Sequence, residues 1–159
     1  MSSPIRVLFV CLGNICRSPA AEAVFTHLVN EAGLAESFAI ESAGTGEWHI
    51  GERPDRRMRV AAQRRGIAMT SRARTVAAED FEHFDYIFAM DGSNLRTLRG
   101  RAPKRHHGKI RLFRDLDPDA PGEDVPDPYY GEDDDFDEVL DIVERTSRAL
   151  LAHLRDPRT

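Results

Sequence analysis

Hydrophobic positions along this chain switch between two rhythms. Residues 5–10, IRVLFV, form a short, nearly continuous apolar run rich in β-branched side chains. That pattern suits a strand buried on both faces. Directly after it the period lengthens, and Ala21, Val24, Phe25, Leu28 and Val29 recur at helical spacing. Ser18 suits the N-cap of that helix, Pro19 its first turn and Gly33 its end. Residues 38–42 read as a second strand, and residues 43–52, with Gly44, Gly46 and Gly51, as a loop. Pro54 and Gly66 bracket a second helix. YIFAM at 86–90 predicts a third strand, residues 93–98 a short helix and residues 110–113 a fourth strand. Residues 115–131 hold four of the nine prolines and read as a long loop, a feature that is often functional in a compact domain. A final helix is predicted from about residue 135 to 155. Its stripe is Phe136, Val139, Leu140, Val143, Ser147, Leu150, Leu151 and Leu154. The acids at 132–135 complement the positive end of its dipole.

Alternating strands and helices imply an α/β fold, a parallel sheet with helices on both faces. The 159 residues show no repeat and no second compositional block, which predicts one domain over 1–159. Ligands in such sheets bind beyond the carboxyl ends of the strands, where Cys11 follows the first strand.

Charge adds a polarity to this picture. The net charge is −5, yet residues 115–141 hold thirteen acids and no Lys or Arg, while residues 53–74 hold eight Arg and one acid, Asp55. The acidic overall balance and the lack of interleaved aromatics argue against nucleic-acid binding. The Arg-rich stretch reads as a solvated helix face, or as a surface that attracts acidic partners. No apolar run approaches the ~20 residues of a membrane helix, and no secretory leader is evident. A cytoplasmic protein without a membrane partner is expected. The six His and two Cys show no metal-ligand spacing, so neither a metal nor another cofactor is expected.

Candidate chemistry lies in Cys11-Leu12-Gly13-Asn14-Ile15-Cys16-Arg17-Ser18, between the first strand and the first helix. A helix N-terminus presents unsatisfied amides and a positive dipole end to an anion. A tight turn before it aims further N–H groups at the same point. Gly13 and Asn14 both tolerate the positive φ such a turn needs. Arg17 adds a planar fork matched to two phosphate oxygens, expected on the rim of the cradle with the Cys11 sulfur at its base. Among these donors the sulfur is expected as the nucleophilic thiolate. A thiolate attacking phosphorus needs a partner that protonates the leaving oxygen. Asp127 in Val125-Pro126-Asp127-Pro128-Tyr129-Tyr130-Gly131 is the candidate, because flanking prolines restrict its backbone. A plain turn residue in an acidic loop is the competing reading.

VLFVCLGNICRSPAAEAVF and DPYYG resemble, in this order, the two signatures of the low-molecular-weight protein tyrosine phosphatases; SAGTG at 42–46 and EDFEHFDYIFAMDGSNL at 79–95 are similar too. The resemblance implies a four-stranded parallel sheet with the phosphate-binding loop after strand one. It implies a metal-free, two-step hydrolysis of phosphotyrosine in proteins. Cys11 would form a phosphocysteine, Arg17 would bind the phosphate with the loop residues 12–18, and Asp127 would serve as acid and then base. It further implies that Ser18 hydrogen-bonds the thiolate, that Asn14 and Ser42 shape the loop and that Asp91 helps hold the site. Leu12, Ile15, Trp48 and Tyr129 would wall a crevice for the phenyl ring. Cys16 would pair reversibly with Cys11 on oxidation, and Tyr129 and Tyr130 match positions phosphorylated in relatives. Phosphate and other oxyanions should inhibit, and a monomer is expected. One departure stands out: Ser71 occupies the place of a His that braces the loop in many members. One carboxyl group in two roles, beside a thiolate, predicts a bell-shaped pH profile with its optimum on the acid side of neutrality.

Three competing readings stay open at this point. Arsenate reductases share the C-x5-R loop but relay through further cysteines, and none follows Cys16. Phosphoarginine phosphatases typically carry Thr where Ile15 stands. A non-catalytic phosphotyrosine-binding module would usually lose the nucleophile or the acid, and both Cys11 and Asp127 are present.

Overall fold

The computed structural model describes residues 3–155. Four strands run parallel: β1 (Ile5–Cys11), β2 (Phe38–Gly44), β3 (Tyr86–Ala89) and β4 (Ile110–Leu112), in the order β2-β1-β3-β4. The helices are α1 (Arg17–Glu31), α2 (Arg56–Gln63), α3 (Asp80–His83), α4 (Gly92–Arg101) and α5 (Asp133–Arg155). Short 3-10 turns occupy Ala35–Ser37, Lys104–Lys109 and Phe113–Leu116.

Strand side chains alternate between two cores, as the pleat requires. Val7, Phe9, Phe88 and Met90 face α1, α2 and α5, packing on Val24, Phe25, Met58, Phe136 and Val139. Leu8, Val10, Ile87 and Ala89 face the other way, onto Phe81 of α3 and Leu98 of α4. Phe9 sits at the centre of the larger core. Its ring meets Phe25 and Phe113 edge-on, at 5.9 and 5.3 Å, and stacks with Phe88 at 6.0 Å. Such pairs add about 0.5–1.5 kcal/mol each beyond area burial. The register sets Cys11 opposite Gly44 and Val10 opposite Ala89. The carboxyl ends of the central strands therefore meet at one edge, where the loop after β1 emerges.

The structure adjusts several boundaries. The N-cap of α1 is Cys16, not Ser18, and Pro19 is the third residue of the helix. Ser18 leaves the cap because its hydroxyl turns inward to the Cys11 sulfur. Asp55 caps α2 by accepting from the Arg57 N–H, and Asp91 caps α4 by accepting from Asn94, so both helices begin where a carboxylate is free to do so. α3 carries no sequence-predicted counterpart, since four residues are too few to show a period. Among the described residues, no helix is long and apolar enough to cross a membrane.

Candidate active site

The segment between β1 and α1 folds into a cradle because its carbonyls are engaged from outside. The Cys11 carbonyl accepts from the Thr45 N–H at 2.9 Å, and that of Leu12 from Gly46 at 2.9 Å. The Ile15 carbonyl accepts from Asp55 at 2.8 Å, and that of Cys16 from Ala20 at 3.1 Å. In a planar trans peptide the following N–H points the opposite way. The N–H groups of Leu12, Gly13, Cys16 and Arg17 are thereby turned inward. No side chain caps α1, so its first amides remain available at the same point.

Asn14 is the one described non-glycine residue with positive φ, 57°. Gly13 is not in that region; its role is space, since a Cβ there would stand 3.1 Å from the His49 ring. Asn14 in turn organises the loop. Its N–H donates to the Cys11 sulfur at 3.3 Å, and its side-chain amide donates to the hydroxyls of Ser18 at 2.8 Å and Ser42 at 3.0 Å. Its side-chain carbonyl accepts from the Arg74 N–H at 3.0 Å. That backbone donor, three residues beyond Ser71, braces the loop here. The Ser18 hydroxyl lies 2.9 Å from the Cys11 sulfur. Ser42 donates to the carboxyl group of Glu22, one helical turn past Ser18. Burial pushes the Glu22 carboxyl above the usual carboxylate range, against the pull of the Ser42 hydrogen bond.

Cys11 is 3% exposed and lies at the floor of a cleft of about 340 Å³. Arg17 belongs to the floor rather than the rim, at 3% exposure. Its guanidinium donates to Asp91 at 2.7 Å and to the Val125 carbonyl at 3.1 Å, and stands 3.6 Å from Asp127. Burial works against its charge, but the Cys11 sulfur, Asp91 and Asp127 outweigh it and raise its pKa above the ordinary arginine value. Asp127 is half exposed and accepts from the Tyr129 N–H at 3.1 Å. Cys16 is a free, buried thiol that lines the same cleft. Burial, with Asp55 nearby, pushes it well above the usual cysteine range, so it stays protonated.

Leu12, Ile15, Trp48 and Tyr129 wall the cleft, with Trp48 71% exposed. Of the residues the sequence assigned to the site, Cys11, Leu12, Gly13, Ile15, Cys16, Arg17, Asp127 and Tyr129 line the cleft with Trp48, and Asn14, Ser18, Ser42 and Asp91 lie in the hydrogen-bonded layer beneath it. Sequence reasoning assigned no role to His49, which lines the cleft and pairs with Glu52 at 2.9 Å, nor to Glu22 and Arg57. Nothing local to Arg57 points to Tyr129, its partner across the fold.

Known proteins match this arrangement at the level of the whole chain. The family model described as low molecular weight phosphotyrosine protein phosphatase matches residues 6–158. The low molecular weight phosphotyrosine protein phosphatase of Schizosaccharomyces pombe is 49% identical over 86% of this chain and 88% of its own length. Its human counterpart is 46% identical over 91% and 92%. The crystal structure of the protein tyrosine phosphatase of Entamoeba histolytica, with Hepes in the active site, superposes with a TM-score of 0.94 at 42% identity, covering 98% of this chain and 99% of that one. With sequence, family model and fold agreeing over nearly its full length, the chain belongs to the low molecular weight phosphotyrosine protein phosphatases, and its enzyme class is that of the protein-tyrosine phosphatases.

Proposed function

We propose that this protein hydrolyses phosphotyrosine in proteins through a phosphocysteine intermediate. The observation that carries the reading is the Cys11 sulfur at the cleft floor, held by the Asn14 N–H and the Ser18 hydroxyl, with Arg17 and Asp127 beside it. The inward amides of the loop and Arg17 take the phosphate oxygens. Phosphoryl transfer asks mainly for positioning and charge stabilisation, which these donors supply. The Cys11 thiolate attacks phosphorus, the S–P bond forms and the aryl P–O bond breaks. The Asp127 carboxyl gives its proton to the departing phenolate oxygen. Asp127, now a carboxylate, then takes a proton from water, whose oxygen attacks phosphorus. Inorganic phosphate leaves and the thiolate is restored.

Substrate choice follows from the walls. Leu12, Ile15, Trp48 and Tyr129 form an apolar slot that receives a phenyl ring and holds a shorter phosphoserine poorly. Ile15 favours an aryl phosphate over phosphoarginine. The protein acts in the cytoplasm as a monomer and needs no metal, and oxyanions compete for the loop.

The test is p-nitrophenyl phosphate hydrolysis with a thiol reductant and EDTA present, wild type beside Cys11→Ser. Turnover in the wild type and none in the variant supports a metal-free cysteine phosphatase. Equal turnover in both removes Cys11 as nucleophile. A pH profile that climbs steadily to pH 9, instead of passing through an acid-side optimum, removes Asp127 as the proton donor. Faster turnover of phosphoarginine than phosphotyrosine proteins overturns the substrate assignment.

A further inference from the structure

Asp127 hangs between two anchors. On one side the Val125 N–H donates to the Met90 carbonyl at 2.8 Å, and the Val125 carbonyl accepts from Arg17. On the other side the Tyr129 N–H caps the Asp127 carboxylate at 3.1 Å, so the placing of that carboxylate depends on what holds the backbone of Tyr129, through the peptides on either side of it. The Gly131 N–H holds the first of these peptides from within the loop, at the Pro128 carbonyl, and Arg57, on α2 and outside the cleft, holds the next peptide from across the fold. The Arg57 guanidinium donates to the Tyr129 carbonyl at 2.8 Å. Its fork also grips the Asp55 carboxylate at 3.2 and 3.1 Å, and its face lies 4.5 Å above the Phe136 ring centroid and 5.7 Å from that of Tyr129. The Asp55 N–H is the group that donates to the Ile15 carbonyl of the phosphate loop.

A continuous path therefore runs from the phosphate loop to the proton donor: Ile15, Asp55, Arg57, Tyr129, Asp127. We infer that Arg57 is a positioning residue that sets the Asp127 carboxyl and the Tyr129 wall at a fixed height over the Cys11 sulfur. This rests on the reading of Asp127 as general acid. Prolines 126 and 128 stiffen the intervening backbone, so a displacement at Tyr129 passes to Asp127 instead of being absorbed. Only a planar fork meets the carboxylate and the carbonyl together while stacking on a ring; an ammonium group does not.

The readout is leaving-group dependence. Protonation of the leaving oxygen matters greatly for phenyl phosphate and little for p-nitrophenyl phosphate, whose phenolate departs readily. The quantity is kcat/KM, which reports formation of the phosphocysteine, for wild type, Arg57→Ala, Arg57→Lys, Asp127→Ala and the Arg57→Ala/Asp127→Ala double variant. Arg57→Ala should lower kcat/KM on phenyl phosphate by about 10- to 100-fold, with a several-fold smaller loss on p-nitrophenyl phosphate. Arg57→Lys should not rescue it. The double variant should be no slower than Asp127→Ala alone. Arg57→Gln, which keeps bulk and one donor, replaces Arg57→Ala if the latter does not fold. Equal losses on both substrates, or losses that multiply in the double variant, overturn the inference. A flat leaving-group response in Asp127→Ala itself overturns the reading beneath it, a result distinct from failure at Arg57.

Discussion

At the scale of single residues the site depends on a few side chains that cannot be exchanged for near relatives. Asn14 combines a left-handed backbone, which costs an ordinary residue about 1–2 kcal/mol, with side-chain bonds to Ser18, Ser42 and Arg74. These two contributions separate experimentally. Asn14→Gly keeps the backbone conformation and loses the bonds; Asn14→Ala loses both. Both variants should lower kcat/KM, and Asn14→Ala should unfold at a lower urea concentration by about 1 kcal/mol more than Asn14→Gly. Equal stabilities would mean that the φ angle carries no cost here. Cys16 makes a second case. On the proposed redox role, peroxide would take the Cys11 sulfur to a sulfenic acid, and the Cys16 thiol would condense with it, releasing water and forming a disulfide. Wild type inactivated by excess peroxide should recover with dithiothreitol, while Cys16→Ser should proceed to the sulfinic acid and stay inactive. Recovery of the variant to the same extent would remove the protective role.

At the scale of elements, function depends on how closely β2 approaches the phosphate loop. A Cβ on Gly44 would stand 2.8 Å from the Leu12 carbonyl oxygen and 3.3 Å from the Asn14 nitrogen, both backbone atoms that cannot swing aside. Gly44→Ala should therefore leave the sheet folded but spread the cradle. The expected result is at least tenfold weaker inhibition by inorganic phosphate, checked by competition against p-nitrophenyl phosphate. An unchanged inhibition constant would show that the loop yields without cost. Gly44 also marks the limit of what was legible in the sequence. The strands and the long helices could be read because burial on one or two faces imposes a period on them. The cradle could be read because strand, turn and helix start are adjacent in sequence. From its own neighbourhood Gly44 read only as a loop residue within SAGTG, since its constraint comes from the phosphate loop, far earlier in the chain. Ser18 was misread as a cap for the same reason: local propensity favoured the cap, and the buried sulfur of Cys11 outweighed it. α3 and the Arg57 tether likewise take their shape from distant partners.

For the whole molecule, the acidic stretch at 115–141 raises the question of how so much like charge folds beside the site. Part of the answer is a buried ion cluster. The Asp117 carboxylate has no exposed side-chain surface; it accepts from Arg114 at 3.0 Å, from Arg145 of α5 at 2.8 and 2.9 Å, and from the Asp119 N–H at 3.0 Å. Arg114 also donates to the Asp124 carbonyl at 2.7 Å, next to Val125, whose carbonyl holds Arg17. The cluster thus pins the start of the Asp127 segment to α5. Arg145 above all, with Arg114 and the Asp119 amide, holds the Asp117 carboxyl far below the usual carboxylate range, against the opposing effect of burial. A carboxylate whose folded pKa is depressed contributes stability above its unfolded pKa, and that stability drains away as pH falls below about 4. Glu22, raised by burial, has the opposite sign and favours the folded state toward acid, so acid sensitivity is not spread evenly over the carboxylates. Asp117→Asn removes the titration while keeping the shape. At pH 7 it should cost about 3 kcal/mol in urea denaturation, because two arginines lose their charged partner. Between pH 5 and pH 3 the variant's stability should fall less steeply than the wild type's, so that the two curves converge. A gap of constant size across that range would mean that Asp117 acts by packing alone and that acid lability arises elsewhere in the fold.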